Sequence, residues 1–273
     1  MINKVVAYFH RDLWTGVNPL VEKWPLLSGD PSSVLFLTTV YVYFAKVLGP
    51  HLMRNRKPYD LRMFMFAYDV FMVFINLYIF VKLCFYTTFG FDTWGCRPVG
   101  RYKSPDDPEL VNLFSVAYIY FVSKFFDFCD TIFFVFRKKF AHISNLHLLH
   151  HSIMPIICWV GFKYIGNMSA AFVPCINSLV HIIMYTYYAC ASYGEQLSQY
   201  LWWKKYLTSL QIIQLILVVI HCTHFLLIPD CDSFPKAFIF LMIFLGFILI
   251  YLFLTFYNAS YRKRRHSRKC QTN

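Results

Sequence analysis

The chain alternates between long apolar blocks and short polar connections, and the blocks have a common length. Seven runs, at about 33–50, 62–87, 111–136, 147–165, 170–191, 207–228 and 236–259, are each long enough to cross about 30 Å of hydrocarbon as a helix. Phe, Tyr, Leu and Ile dominate them. Helices are the open-ended elements that satisfy their own backbone inside lipid, so the pattern predicts an all-α integral membrane protein of about seven transmembrane helices. No internal repeat or linker separates the runs, and residues 1–273 read as a single membrane domain with a basic tail at 260–273. The start, MINKVVAYFHRDLW, lacks an apolar h-region and a cleavage site, so the first span is expected to serve as the insertion signal.

Composition sharpens this picture. Of 273 residues, 58% are hydrophobic, 21% aromatic and 15% charged, too little charge to cover a water-soluble surface of this length. A net charge of +12 raises the question of nucleic acid, but the placement of the basic residues argues against it. They gather in alternate connections: Arg54, Arg56, Lys57 and Arg62, then Arg137, Lys138 and Lys139, then Lys204 and Lys205, then the tail from Arg262 to Lys269. The opposite connections carry Asp92, Asp106, Asp107 and Glu109, then Asp230 and Asp232. This alternation predicts a cytosolic C-terminus and an N-terminus on the other side. Cys96 and Cys231 fall in the predicted non-cytosolic loops, where a disulfide between them is expected; the cysteines within the spans read as packing residues. The sequons at Asn167 and Asn258 read as empty, the first in a very short loop and the second at the cytosolic end of the last span.

Ionisable side chains inside spanning helices are costly and point to function. Four clusters stand out. In LHLLHH, His147, His150 and His151 stand at i, i+3 and i+4 and share one helical face, a spacing suited to a nucleophile, a general base or a metal ligand. In NSLVHIIMYTYY, Asn177, His181, Tyr185 and Tyr188 form one narrow stripe that can fix a histidine tautomer or hold an oxyanion, although both tyrosines suit packing equally. In KFFDFCDT, Lys124, Asp127 and Thr131 share a face with Asp130 beside it; a buried ion pair that orients helices is the competing reading. In TSLQIIQ, Gln211 and Gln214 suit interhelical hydrogen bonding, and His221 and His224 lie deeper as structural histidines. Asp69 and Asn76 add a polar stripe in the second span. The first three clusters and the start of the fourth occupy cytosolic halves of their helices, and are expected to converge on one buried site.

Together these stretches resemble the very-long-chain fatty acid elongase family, the membrane 3-ketoacyl-CoA synthases. KFFDFCDT is similar to the family's Lys-x-x-Glu-x-x-Asp-Thr, with Asp127 in place of Glu, and LHLLHH to its His-x-x-His-His box. NSLVHIIMYTYY is similar to its Asn-x-x-x-His-x-x-Met-Tyr-x-Tyr-Tyr, and TSLQIIQ to its Thr-x-x-Gln-x-x-Gln. The histidine box alone is weakly specific; all four in this order are strong. The tail SRKCQTN departs from the family's dilysine retrieval signal, so residence in the endoplasmic reticulum is implied by the resemblance alone.

The resemblance implies six helices in a barrel around an acyl tunnel, and condensation of a long-chain acyl-CoA with malonyl-CoA. It implies no cofactor and no metal, a membrane lipid environment, and other elongation-cycle enzymes as functional neighbours. The expected mechanism makes His150 the nucleophile that forms an acyl-imidazole. His151 and His181 then move protons and contact the oxyanion, Asn177 orients His181, and His147 completes the network. Lys124, Asp127, Asp130, Thr131, Tyr185, Tyr188, Gln211 and Gln214 are expected around the substrates. Lys204, Lys205, Arg262 and Arg265 are expected to meet CoA phosphates. Phe85, Trp159, Phe162 and Phe225 are candidates for closing the tunnel, chosen by depth. The rival enzyme reading is a histidine-box metal-dependent lipid desaturase or hydroxylase. It is disfavoured because ten histidines in all, with His10, His51, His142 and His266 outside the box, are too few for two irons. A seven-helix receptor has no need of clustered histidines, and a transporter would show repeat symmetry.

Overall fold

A computed structural model describes residues 21–95, 107–164, 168–228 and 236–262. Every regular element among them is helical. Helix α1 (Ser32–Met53) is followed by α2 (Arg62–Tyr86), α3 (Pro108–Phe126), α4 (Phe128–Phe136), α5 (Asn145–Tyr164), α6 (Phe172–Tyr193), α7 (Lys204–Leu227) and α8 (Lys236–Tyr257).

Five helical stretches are long and apolar enough to cross a membrane: Ser32–Met53, Arg62–Tyr86, Met168–Tyr193, Leu201–Leu227 and Lys236–Tyr261. They match the first, second, fifth, sixth and seventh predicted runs. Helices also stand over the other two, but of a different kind. The run at 111–136 is broken into α3 and α4 at Asp127, which ends one helix and begins the next. The run at 147–165 is α5, one helix with Pro155 inside it and three histidines at its start. Pro155 has no N–H to give the carbonyl of His151 one turn earlier, which loosens the helix beside the histidines.

Local sequence explains the other boundaries. Asp107 caps α3 by accepting the backbone N–H of Glu109 at 2.9 Å, and Pro108 occupies the first turn, where its missing N–H does no harm. In α1 the helix widens to a π-type turn over Phe44–Leu48 just before Pro50, whose ring would crowd the carbonyl of Lys46.

The chain divides into two units. Among the described residues, the first comprises 21–61, 81–95, 107–164 and 168–174, and the second 62–80, 175–228 and 236–262. In the first, α1 packs against α4 through Ala45, Met53 and Val135, joined by Ile143 of the connection between α4 and α5. Gly49 makes that approach possible: a Cβ there would lie 2.7 Å from Val135 Cγ1 and 2.8 Å from the carbonyl of Phe44. The first unit also holds the segment before α1, where Trp159 Nε1 donates to the Leu26 carbonyl at 3.0 Å and Trp24 lies against Tyr118.

In the second unit, Met72 of α2 packs with Met184, Tyr185, Tyr187 and Leu207. Helices α7 and α8 lie side by side, where Gly246 faces Val219 so closely that a Cβ would sit 2.5 Å from its Cγ2. The hydroxyl of Tyr261 meets Thr208 Oγ1 at 3.3 Å, which puts the end of α8 beside the start of α7. Phe240, Phe244, Phe247 and Tyr251 form an exposed i, i+4, i+7, i+11 stripe on α8 suited to lipid contact.

Candidate active site

The first unit carries the histidine box, and the three imidazoles do share one face of α5. The rings of His147 and His151 lie 4.2 Å apart, and those of His150 and His151 meet edge to face at 5.4 Å. Thr131 of α4, fully buried, reaches His147 Nε2 at 2.7 Å. Its hydroxyl is also 2.9 Å from the hydroxyl of Tyr41 on α1, whose ring stacks on Phe128. Ser144 accepts the backbone N–H of His147 at 3.2 Å, holding the first turn of α5 in place.

The Lys124–Asp127 pair expected from sequence is present as a salt bridge of 3.2 Å, with 1% and 3% of the two side chains exposed. The ammonium also lies 4.5 Å from the centre of the Tyr120 ring. Neither charge faces water, so removing one partner would cost the other a close buried counter-charge. The pair bridges the break between α3 and α4 and so ties both helices together at the level of Thr131. Asp130 is half-buried one residue away. No group of three His, Cys, Asp or Glu among the described residues is placed to hold a metal ion.

The second unit carries the other stripe, all on α6. Asn177, His181 and Tyr185 are buried, and Tyr188 is half-buried. Successive rings meet at 5.7 Å (His181–Tyr185) and 6.0 Å (Tyr185–Tyr188). The hydroxyl of Tyr185 lies 3.3 Å from that of Tyr68 on α2. The polar face continues one turn further to Ser192, which donates to the buried carboxyl of Asp69 at 3.1 Å. Asp69 thus belongs to the face that α2 turns toward α6, and Asn76, also buried, donates its side-chain amide to the Met72 carbonyl at 2.8 Å. On α7, Gln214 is buried and the amide of Gln211 reaches the sulfur of Met184 at 3.3 Å.

The expected CoA-binding cations divide. Lys204 and Lys205 are exposed at the start of α7, and the chain ends its described course at Arg262, directly after the Tyr261 that contacts Thr208. Arg265, Cys96 and Cys231 lie outside the described residues.

Depth alone misplaced one residue: Phe85 is 76% exposed on α2, so it lines nothing inside the protein. Trp159 and Phe225 are buried, and Phe162 packs on Phe121. Sequence reasoning missed Tyr41, Tyr68, Ser192 and the buried Lys163. Ser192 carried a signal, since it extends the 181, 185, 188 spacing by one more turn. Tyr41 carried none, being one aromatic in an aromatic-rich span.

With this geometry in place, the comparisons with known proteins give one answer. A family model described as the GNS1/SUR4 family, ELO, matches residues 26–269. A very long chain fatty acid elongase of Aedes aegypti is 36% identical over 98% of this chain and 74% of its own length. Very long chain fatty acid elongase 1 of Mus musculus is 35% identical, covering 99% of this chain and 96% of its own. Very long chain fatty acid elongase 7 of Rattus norvegicus is 36% identical, covering 100% and 95%. The chain belongs to the GNS1/SUR4 (ELO) family of very long chain fatty acid elongases.

Proposed function

We propose that this multi-pass membrane protein is a 3-oxoacyl-CoA synthase that condenses a long-chain acyl-CoA with malonyl-CoA, the first step of fatty-acid elongation. The observation that carries the chemistry is the face of α5 bearing three adjacent imidazoles, one of them anchored by Thr131.

In the first half-reaction a nitrogen of His150 attacks the thioester carbonyl. The C–S bond breaks with its electron pair on sulfur, and the proton lost by the imidazole converts the thiolate to CoA thiol. In the second, the bond between the malonyl methylene and its carboxylate breaks and carbon dioxide leaves. The enolate carbon left behind attacks the acyl carbon, the acyl–nitrogen bond breaks, and its pair returns to His150, which regains a proton from solvent. The cycle takes up one proton in all. His151 and His181 serve as the proton-transferring and oxyanion-binding groups, and Asn177 orients His181. Lys124, Asp127, Asp130, Thr131, Tyr185, Tyr188, Gln211 and Gln214 shape the surroundings. Lys204, Lys205, Arg262 and Arg265 bind the CoA phosphates.

This scheme uses no metal and no cofactor. The protein resides in the endoplasmic reticulum with its N-terminus luminal and its C-terminus cytosolic, the orientation given by the basic connections. The enzymes that reduce and dehydrate the product act next to it.

Incubating the protein with labelled acyl-CoA and no malonyl-CoA tests the two-stage route. Stoichiometric CoA release with the label on His150, and release of 3-ketoacyl-CoA when malonyl-CoA follows, is the expected result. Label on another side chain would overturn the assignment of His150. CoA release only when malonyl-CoA is present would overturn the two-stage route.

A further inference from the structure

Tyr41 is not part of any motif, yet its hydroxyl ends a buried chain of hydrogen bonds leading to the histidine box. The chain runs Tyr41 Oη to Thr131 Oγ1 (2.9 Å) to His147 Nε2 (2.7 Å). Tyr41 and Thr131 are 5% and 0% exposed, so each hydrogen must find its acceptor inside this chain. Three arrangements are conceivable. If Tyr41 and Nε2–H both donated to Thr131, the threonine's own hydrogen would be left over in a fully buried place. If His147 Nε2–H donated to Thr131, and Thr131 to Tyr41, the tyrosine's own hydrogen would be left over in a buried place. In the opposite direction Tyr41 donates to Thr131, Thr131 donates to Nε2, and both buried hydroxyl hydrogens are used; the remaining imidazole hydrogen sits on Nδ1 of a ring that is only half-buried.

We propose that Tyr41 is a positioning residue for the condensation, which fixes His147 as the tautomer carrying its hydrogen on Nδ1 by orienting the Thr131 hydroxyl. This rests on the elongase reading for its catalytic consequence, but not for the tautomer itself. The consequence follows from packing: the His147 ring lies 4.2 Å from that of His151. A His147 held uncharged and in one orientation gives His151 a constant neighbour while His151 handles protons. Tyr41 touches no reacting atom and acts only through Thr131 and His147.

Tyr41→Phe is a clean probe, because it keeps the ring that stacks on Phe128 at 4.0 Å and 11° and removes only the hydroxyl. Thr131 can then either donate to or accept from Nε2. Full-length protein with ¹⁵N-histidine, the His147 signals assigned by their loss in His147→Gln, is expected to show the Nδ1–H tautomer. The two tautomers should mix in Tyr41→Phe, whereas Thr131→Ser should keep the wild-type pattern. With the condensation assay, Tyr41→Phe is expected to lower kcat about tenfold, with KM for both substrates within about twofold of wild type. An Nε2–H tautomer in the wild type would overturn the proposal. So would an unchanged His147 pattern in Tyr41→Phe, or a loss of kcat no greater than the loss of folded protein. A wild-type protein that made no 3-ketoacyl-CoA would instead refute the elongase reading and leave the tautomer result to stand by itself.

Discussion

The ammonium of Lys163 has no exposed surface, and it meets the carboxylate of Glu22, which is more than a third exposed. The same carboxylate accepts the backbone N–H of Gly29 at 3.0 Å, and the Lys163 ammonium lies 5.5 Å from the centre of the Trp159 ring. The segment ahead of α1 is thus fastened to the end of α5.

Removing the carboxylate strands a buried cation, so Glu22→Gln should destabilise the protein by more than Lys163→Met, which removes the charge and keeps an apolar stem. Thermal unfolding in detergent measures the difference. Burial alone would raise the Glu22 carboxyl, but the hydrogen bonds from Lys163 and Gly29 outweigh it and hold it below its ordinary 4.5. A carboxyl lowered on folding stabilises the native state above its unfolded value, and that contribution disappears as pH falls through the lower folded value. The wild type should therefore lose stability below about pH 4.5 more steeply than Glu22→Gln.

Gly49→Ala should cost about 1–3 kcal/mol, because its Cβ meets both a side chain and a backbone carbonyl. Adding Val135→Ala should recover part of this and not all, since the Phe44 carbonyl remains 2.8 Å away. Equal stability of the single and double variants would show that the side-chain contact is irrelevant.

Much of this was legible in the sequence, for identifiable reasons. Hydrophobic length marked the helices, because lipid leaves few other solutions. The i, i+3, i+4 spacing of His147, His150 and His151 puts them on a common face, because a helix has a single period. Lys124–Asp127 was legible for the same reason, three residues apart. Contacts between distant segments were not. Tyr41 and Thr131 are ninety positions apart, and no period relates them. The break at Asp127 also escaped, since aromatic residues continue on both sides of it. Lys163 gave no signal, because a lysine near the end of an apolar run usually reaches for the surface.

Ser178 Oγ is fully buried on α6 with no hydrogen-bond partner. A buried hydroxyl left unpaired costs about 1–3 kcal/mol, so Ser178→Ala should leave the unfolding temperature unchanged or raise it. A clear fall would mean that the hydroxyl is satisfied in the membrane-embedded protein.

Charge reversal of Lys204 and Lys205 should act on binding and spare the chemical step. If both meet CoA phosphates, the double Glu variant raises KM for acyl-CoA by about tenfold or more, and raised salt weakens wild-type binding in the same direction. A change in kcat alone would remove these lysines from the CoA site.

The central claim is decarboxylative condensation by the protein itself, and one assay addresses it directly. Purified, chelator-treated protein is given a long-chain acyl-CoA and malonyl-CoA labelled in its methylene carbon, without reductant. The account predicts labelled 3-ketoacyl-CoA with one carbon dioxide released per turnover, and none from His150→Ala. Absence of product from folded wild-type protein, with turnover appearing only when iron, reductant and oxygen are supplied, would contradict it.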